Sequence, residues 1–436
     1  MRVPAALARS RFPVPVLQVL RTLAEAGFRS WLVGGAVRDP LLSRRRSSSD
    51  FDVATPARPD EVARLFPRVI PTGVEHGTVT VIARGVSVEV TTFRGEGPYR
   101  DGRRPESVTF LPDLESDLAR RDFTINALAF DPLGREFRDP FGGREDMRRR
   151  RIRSVGDPVA RFAEDGLRPL RAVRFVAQLG FGLAPPTRRA IPQSLDVVRR
   201  VAAERVTDEL SKLLVAPHAA LGLRLLRGTG LLEIVLPGLA ARPGRVLDHA
   251  VAVLAAAPPV LALRLAALLH GLGPAGAADA IASLRFPRQQ TEAALSLIRA
   301  FPCRRLGHAA LPAGTPAAVR RWMARVELRR TGPLLSLAGA EVSAMPRAQR
   351  AGAAAEVKRL KTRVRAVLRR APPLSVRELA LDGRAVAEEL GTGPGPLVGE
   401  ALRHLLDRVL ERPEENVPER LRAALREWSA RPAPRV

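Results

Sequence analysis

The sequence predicts an α/β head followed by an all-helical remainder, and three observations carry that fold class. Strand-like runs, WLVGG, FDVAT, GTVTVIA and VSVEVTTF, alternate or cluster β-branched residues and all fall within the first 146 residues. After Arg148 these signals fade, and segments such as ALGLRLLRGTGLLEIVL and ALRLAALLHGLG show helical spacing with glycine stops. The length of 436 residues exceeds what one core supports and calls for about two to four domains.

The head spans residues 14–146. In WLVGGAVRDP a strand over 31–33 leads through Gly34 and Gly35 into the first turn of a helix. Two glycines there let backbone approach a ligand, and exposed amides at a helix start favour phosphate oxygens, although a Gly-Gly pair also makes ordinary tight turns. Pro40 is expected to shorten or bend that helix. In SSSDFDV the serines, with Arg44, Arg45 and Arg46 before them, read as a solvated turn. If DFDV is a strand, its period of two places Asp50 and Asp52 on one face and Phe51 toward the core. Hard oxygen ligands so close together suit Mg²⁺. Glu89, in VSVEVTTF, is a candidate third carboxylate on a neighbouring strand, an exposed strand residue being the equal alternative.

Farther on, RRDFTINALA reads by itself as a helix start capped by Asp122 or Thr124. EDGLRPLRAVRF sets Asp165, Arg168, Arg171 and Arg174 at three-residue steps, hence along one helical face, which fits a salt-bridged surface as well as a ligand site. Pro169 is expected inside that helix, where it removes a backbone bond and shifts Arg168. Breaks at RPGR near 242, APP at 257–259, PAG at 312–314 and APPL at 371–374 divide the helices into a neck, 147–240, a body, 241–371, and a tail, 372–436. The run MRRRRIRS, 147–154, serves equally as a solvated linker or a phosphate track.

Composition narrows the partners. A formal charge of +26 points to a polyanion, because clustered cations gain affinity by releasing phosphate counterions. Lys212, Lys358 and Lys361 are the only lysines, so a bias toward arginine in the coding sequence contributes as well. Aromatics make up 4% and Tyr99 is the one tyrosine, which argues against a sheet that stacks bases on aromatic rings. The single cysteine, Cys303, excludes a disulfide framework and a cysteine-rich zinc site and fits a reducing cytoplasm. The N-terminus lacks an uninterrupted apolar core with a cleavage site, and no stretch is expected to approach about 18 apolar residues. The expectation is a soluble cytoplasmic protein without a membrane partner.

Six segments in order, GGAVRD, DFD, GVEHGTVTV, EVTTFRGEGPYRDGRRPESV, RRDFTINALA and EDGLRPLRAVRF, together resemble the bacterial tRNA nucleotidyltransferases, the CCA-adding enzymes of the class shared with bacterial poly(A) polymerases. RVTDELSKLLVAPHAALGLRLLRGTGLLEIVLP and GTGPGPLVGEALRHLLDRVLERPEEN extend the resemblance over almost the whole chain. It implies a nucleotidyltransferase-type sheet in the head, with Asp50 and Asp52 holding metals. Two metals about 4 Å apart activate an RNA 3′-hydroxyl and stabilise departing pyrophosphate. The resemblance places Gly34, Gly35 and Arg38 at the triphosphate and Arg121, Asp122 and Asn126 near the ribose and triphosphate, with Asp122 accepting from the 2′-OH.

Cytosine and adenine both present an amino donor beside a ring-nitrogen acceptor, whereas guanine and uracil present a carbonyl beside an N–H. A carboxylate next to a guanidinium is complementary to the first pair, so Asp165 with Arg168 accepts CTP and ATP and leaves buried groups unpaired against GTP and UTP. The family carries the same assignment at this motif, with Arg171 and Arg174 beside it. The loop 96–108 helps the family switch to ATP, and its DGRRP favours full CCA addition over a CC-only enzyme.

In the body, Leu247 to Ala256 and LRLAALLHGLG resemble the region where some relatives carry a His-Asp metal phosphohydrolase, but Gly271 follows His270 where a ligand is needed. Two histidines, His249 and His270, without a carboxylate make a poor metal cage and read as core or surface residues, so no phosphohydrolase activity is expected. His76, His218, His308 and His404 receive no role. By resemblance, RRWMARVELRR and the tail after Leu374 bind the tRNA elbow through its backbone. The expected function is template-independent addition of CMP and AMP to tRNA 3′ ends from CTP and ATP with Mg²⁺. The alternatives are an A-adding enzyme or a poly(A) polymerase and, in another class, a non-catalytic RNA-binding protein. A monomer and a homodimer are both left open.

Overall fold

The computed structural model describes residues 2–42, 51–96, 108–110, 113–301, 312 and 314–430. They form two compact units, Met1–Ala241 with Ser283–Arg285, and Arg242–Ala282 with Phe286–Val436. Asp50, the arginine–serine turn before it, the core of the loop 96–108 with Tyr99, and Cys303 and His308 lie outside the described residues.

The first unit is built on a seven-stranded sheet. Helix α1 (Val14–Glu25) precedes strand β1 (Trp31–Val33), helix α2 (Gly35–Leu41) and strands β2 (Phe51–Thr55), β3 (Val69–Gly73), β4 (Thr78–Ala83) and β5 (Val86–Thr92). Strands β6 (Ala129–Asp131) and β7 (Glu136–Arg138) complete it, in the order β3-β4-β5-β2-β1-β6-β7. Only the β2–β5 pairing is parallel. In α1 the buried residues Val16, Val19, Leu20 and Leu23 follow the spacing of one helical face, and the helix packs over β4 and β5. The four strand-like runs become β1, β2, β4 and β5. In β2 Phe51 and Val53 are buried on one face while Asp52 between them is half-buried on the other, where its neighbour Ala54 is buried as well.

Past residue 148 the first unit is helical, apart from Arg151–Ile152 pairing in parallel with Gly182–Leu183. That pairing makes part of the arginine run structured rather than a free linker. Helix α3 (Arg168–Leu179) packs on α4 (Ala203–Leu214) and on the helix Ala219–Gly228. In the second unit α5 (Gly244–Ala256), α6 (Leu261–Leu269) and α7 (Leu328–Ala344) pack against one another, and Val386, Ala401, Leu405, Val409, Leu421 and Leu425 form a separate core.

Pro40 sits inside α2 at its penultimate position, where it removes the N–H that would reach the Ala36 carbonyl, and the helix is short and ends one residue later, in line with the expectation. Three expectations are corrected. Pro169 falls in the first turn of α3, whose N–H groups have no intrahelical acceptor, so it does not distort Arg168. RRDFTINALA makes one 3₁₀ turn, Thr124–Asn126, instead of starting a helix, because Thr124 donates to Asp146 and Asp122 is engaged elsewhere. Finally, Leu261–Ser283 is long and apolar enough to cross a membrane by composition, with an 18-residue window of mean hydropathy 1.3, yet 61% of that window is buried within the protein and the segment breaks at the 3₁₀ turn His270–Leu272.

Candidate active site

A cleft of about 450 Å³ opens in the first unit between the sheet and α3. Its sheet wall is acidic. Asp52 lies beside Glu89 in the parallel β2–β5 register and beside Val33 of β1. The two carboxylates therefore stand on adjacent strands, with Cα atoms about one strand spacing, roughly 4.8 Å, apart. The lining is otherwise rich in arginine, with Arg38, Arg94, Arg120, Arg121, Arg168, Arg171 and Arg174 beside Asp122 and Asp165. Such a cavity attracts a triphosphate while retaining hard oxygen donors for divalent cations.

Gly34 lies between Asp52 and Arg121. Its φ of +63° is a left-handed conformation that glycine tolerates, and a Cβ there would come 3.2 Å from Asp52 Oδ2 and 3.4 Å from Arg121 Nη1. Bare backbone thus faces the cleft between an acid and a base. Gly35 opens α2, and Arg38, one turn on, donates from Nη1 to Asn126 Oδ1 at 2.7 Å.

Asn126 passes the connection on, donating Nδ2 to Asp122 Oδ1 at 3.0 Å, where the Phe123 amide also donates at 2.8 Å. The other oxygen, Oδ2, accepts from Arg171 Nε at 2.8 Å and Nη2 at 2.7 Å. Burial works to raise the Asp122 carboxyl, but the Arg171 charge and the hydrogen bonds from Asn126 and Arg171 outweigh it and hold it at about 2. Four donors already occupy this carboxylate, which leaves it little spare acceptor capacity. Arg121 is held in a similar way by the fully buried Asp117, which also binds Arg120. Burial opposes ionisation of Asp117, yet Arg121 and Arg120 keep its pKa lowered. Arg121 Nε is buried without a hydrogen-bond partner among the described residues.

Arg168, Arg171 and Arg174 do share a face of α3. Asp165 does not belong to it, lying ahead of the helix with extended backbone and accepting the Leu167 amide on Oδ1 at 3.0 Å. Gly166 makes this corner possible, since a Cβ there would stand 2.6 Å from the Val197 carbonyl oxygen. The guanidinium that donates to Asp165 Oδ2 is that of Arg205, at 3.0 Å. Arg168 is buried and donates to Glu164 and to the carbonyls of Arg161 and Arg120. Both Asp165 and Arg168 nonetheless line the cleft.

Sequence reasoning missed several participants. Phe175, 3% exposed, carries Arg174 at 3.9 Å from its ring centroid, Arg38 at 5.2 Å and Arg171 at 5.8 Å. Glu209 pairs with Arg174 and approaches Arg171. Arg205 and Glu209 are a turn apart on α4, and no local signal in RVTDELSKLL discloses partners on α3 or ahead of it. In the second unit the expectation of histidines without a carboxylate is overturned, because Glu341 of α7 meets both His249 and His270. All three are buried, in keeping with the core reading of the histidines.

Comparison with known proteins agrees with this geometry. Residues 30–153 match the poly A polymerase head domain, and residues 180–242 match the family described as a probable RNA and SrmB-binding site of polymerase A. The CCA-adding enzyme of Geobacillus thermodenitrificans is 41% identical over 95% of this chain and 96% of its own. The chain belongs to the CCA-adding enzyme family. A second member, from Geobacillus stearothermophilus, is 40% identical over 94% of this chain and 96% of its own. The crystal structure of the Bacillus stearothermophilus CCA-adding enzyme in complex with CTP superposes with a TM-score of 0.78 at 36% identity, covering 95% of this chain and 97% of that one. The mixed sheet with a helical remainder is thus the fold of the CCA-adding family, and the cleft is lined by residues within the matched 30–153 segment and by Asp165, Arg168, Arg171, Arg174 and Phe175 beyond it.

Proposed function

We propose that this protein adds CMP and AMP to the 3′ end of tRNA without a nucleic-acid template, releasing pyrophosphate and building or repairing CCA. The single observation that carries the reading is one cleft lined by both Asp52 and Glu89, paired in register on adjacent strands, and by the arginine cluster.

The donor set fits divalent metal. Asp50 and Asp52 would hold it, with Glu89 adjacent, and carboxylate oxygens in this number suit Mg²⁺. When bound, the metal supplies charge neutralisation at the α-phosphate and lowers the pKa of the attacking hydroxyl. The chain's own residues do the rest. Arg38 and Arg121 receive triphosphate oxygens across the bare backbone of Gly34, the buried Nε of Arg121 being a donor without an acceptor among the described residues. Asp122 and Asn126 hold Arg171 and Arg38 in place and border the ribose. The 3′-hydroxyl of the RNA gives up its proton to solvent and its oxygen bonds to the α-phosphorus, while the bond from the α-phosphorus to the α–β bridging oxygen breaks and pyrophosphate leaves with that electron pair. Each oxygen of Asp165 retains a second lone pair, which accepts the amino group of cytosine or adenine while Arg168 donates to the ring nitrogen. Both nucleobases satisfy that pattern, and guanine and uracil do not.

In this reading residues 14–146 are a catalytic head, 147–240 a neck with the base-reading edge, 241–371 a body and 372–436 a tRNA-binding tail, in a cytoplasmic protein. A homodimer is one expected outcome of a light-scattering measurement.

Purified protein with Mg²⁺ and labelled CTP or ATP, offered tRNAs ending before the CCA, at CC and at CCA, decides the matter. Incorporation of CMP into the shortest tRNA and AMP into the CC form is expected. AMP incorporation alone identifies an A-adding enzyme, and long A tails on unrelated RNA identify a poly(A) polymerase.

A further inference from the structure

We propose that His249, His270 and Glu341 bind one first-row divalent transition metal of the zinc type, in a site independent of the nucleotidyl-transfer cleft. The three side chains come from α5, the 3₁₀ turn after α6, and α7, all within the second unit. Their ligating atoms lie within 4.8 Å of one another. His249 Nε2 is 3.0 Å from Glu341 Oε1 and 2.9 Å from Oε2, and His270 Nε2 is 4.0 Å from Oε2. Tetrahedral coordination with bonds of about 2.0 Å places ligand atoms about 3.3 Å apart. The observed separations straddle that value, and the loosest pair closes by at most about 1.5 Å to reach it.

The ring orientations favour coordination. His270 Nδ1 is 2.8 Å from the Ala267 carbonyl oxygen. Donation of the Nδ1 proton to that carbonyl leaves the neutral ring with its Nε2 lone pair turned into the cluster, the arrangement by which outer partners orient metal-bound imidazoles. His249, His270 and Glu341 are 8%, 3% and 2% exposed, so the group is enclosed by apolar helices, with Phe301 edge-on to His270 at 5.0 Å. Without metal a neutral His249 ring donates its Nε2 proton to Glu341; a metal on Nε2 takes the place of that proton and also leaves the ring neutral, with Nδ1 buried without a hydrogen-bond partner among the described residues.

Two imidazole nitrogens and one carboxylate oxygen select zinc, cobalt, nickel or ferrous ions over Mg²⁺, whose preference is for oxygen alone. The site also differs from the cleft in enclosure, and so it acts as a staple that fastens α5, α6 and α7 together.

The test uses the full chain. Protein stripped with chelator, exposed to Zn²⁺ and passed through gel filtration is analysed for metal by mass spectrometry, and a Co²⁺-loaded sample is read for visible ligand-field bands. One zinc per chain, a cobalt spectrum of tetrahedral intensity and a Tm raised by zinc are expected. An Asp52→Asn variant, altered only at the cleft, should retain that zinc. Glu341→Gln and His270→Gln should lose it, and the wild-type readouts stand even if either variant fails to fold. Folded wild-type protein that retains no zinc and shows no cobalt bands overturns the proposal, as does loss of the zinc in Asp52→Asn or its retention in a folded Glu341→Gln, His270→Gln double variant.

Discussion

The guanidinium of Arg171 grips Asp122 through two nitrogens on one oxygen, Nε at 2.8 Å and Nη2 at 2.7 Å from Oδ2. With its folded pKa at about 2 against an ordinary 3.8, Asp122 contributes stability that is complete above about pH 4 and is lost as pH falls through about 2. That contribution is worth about 2 kcal/mol. Denaturant titrations of wild type and Asp122→Asn should therefore differ most near neutrality and converge toward pH 2. A gap that stays constant over that interval contradicts the assignment.

Gly34→Ala should lower kcat/KM by on the order of tenfold or more, since every 1.4 kcal/mol of transition-state stabilisation is tenfold. The added methyl meets Asp52 Oδ2 at 3.2 Å in a left-handed backbone that costs about 1 kcal/mol without glycine. Steady-state kinetics beside a thermal melt separate the two effects, and the loss of activity should exceed what the melt accounts for.

Asp52→Asn should reduce kcat by roughly 10²–10³-fold or more, the scale associated with removing one preorganised charge-stabilising group. Glu89→Gln tests the third carboxylate. A comparable loss, partly recovered at high Mg²⁺ or with Mn²⁺, marks Glu89 as a metal ligand, and wild-type turnover removes it from the site.

Phe175→Leu keeps an apolar side chain but discards the ring beneath three guanidinium groups. At about 0.5–1 kcal/mol for a cation over a ring, the KM for CTP and ATP should rise about two- to fivefold with a smaller change in kcat. Phe175→Tyr restores the ring face and should restore KM. Equal behaviour of the Leu and Tyr variants shows that only volume matters.

Much of this site was legible because strand alternation is local. FDVAT and VSVEVTTF disclose their own faces, so Asp52 and the strand that bears Glu89 follow from period two, while the register that sets them side by side depends on a parallel pairing that no short pattern encodes. Arg168, Arg171 and Arg174 were legible as one face for the same reason. Asp165 was not, because its carboxylate folds back to its own loop amide and ends the helical reading early. RRDFTINALA was misread because tertiary partners, Arg171 for Asp122 and Asp146 for Thr124, outbid local capping. Glu341, 92 residues from His249, had no means of announcing itself.

Helix α4 is fastened at two places, Arg205 to Asp165 and Glu209 to Arg174, one turn apart on α4 and on either side of the start of α3. If Asp165 reads the incoming base as proposed, the accuracy of nucleotide choice is a mechanical property of this splint. A lesion on α4 that never touches substrate would then surface as miscoded tRNA ends, and the error rate would climb with temperature before the protein unfolds.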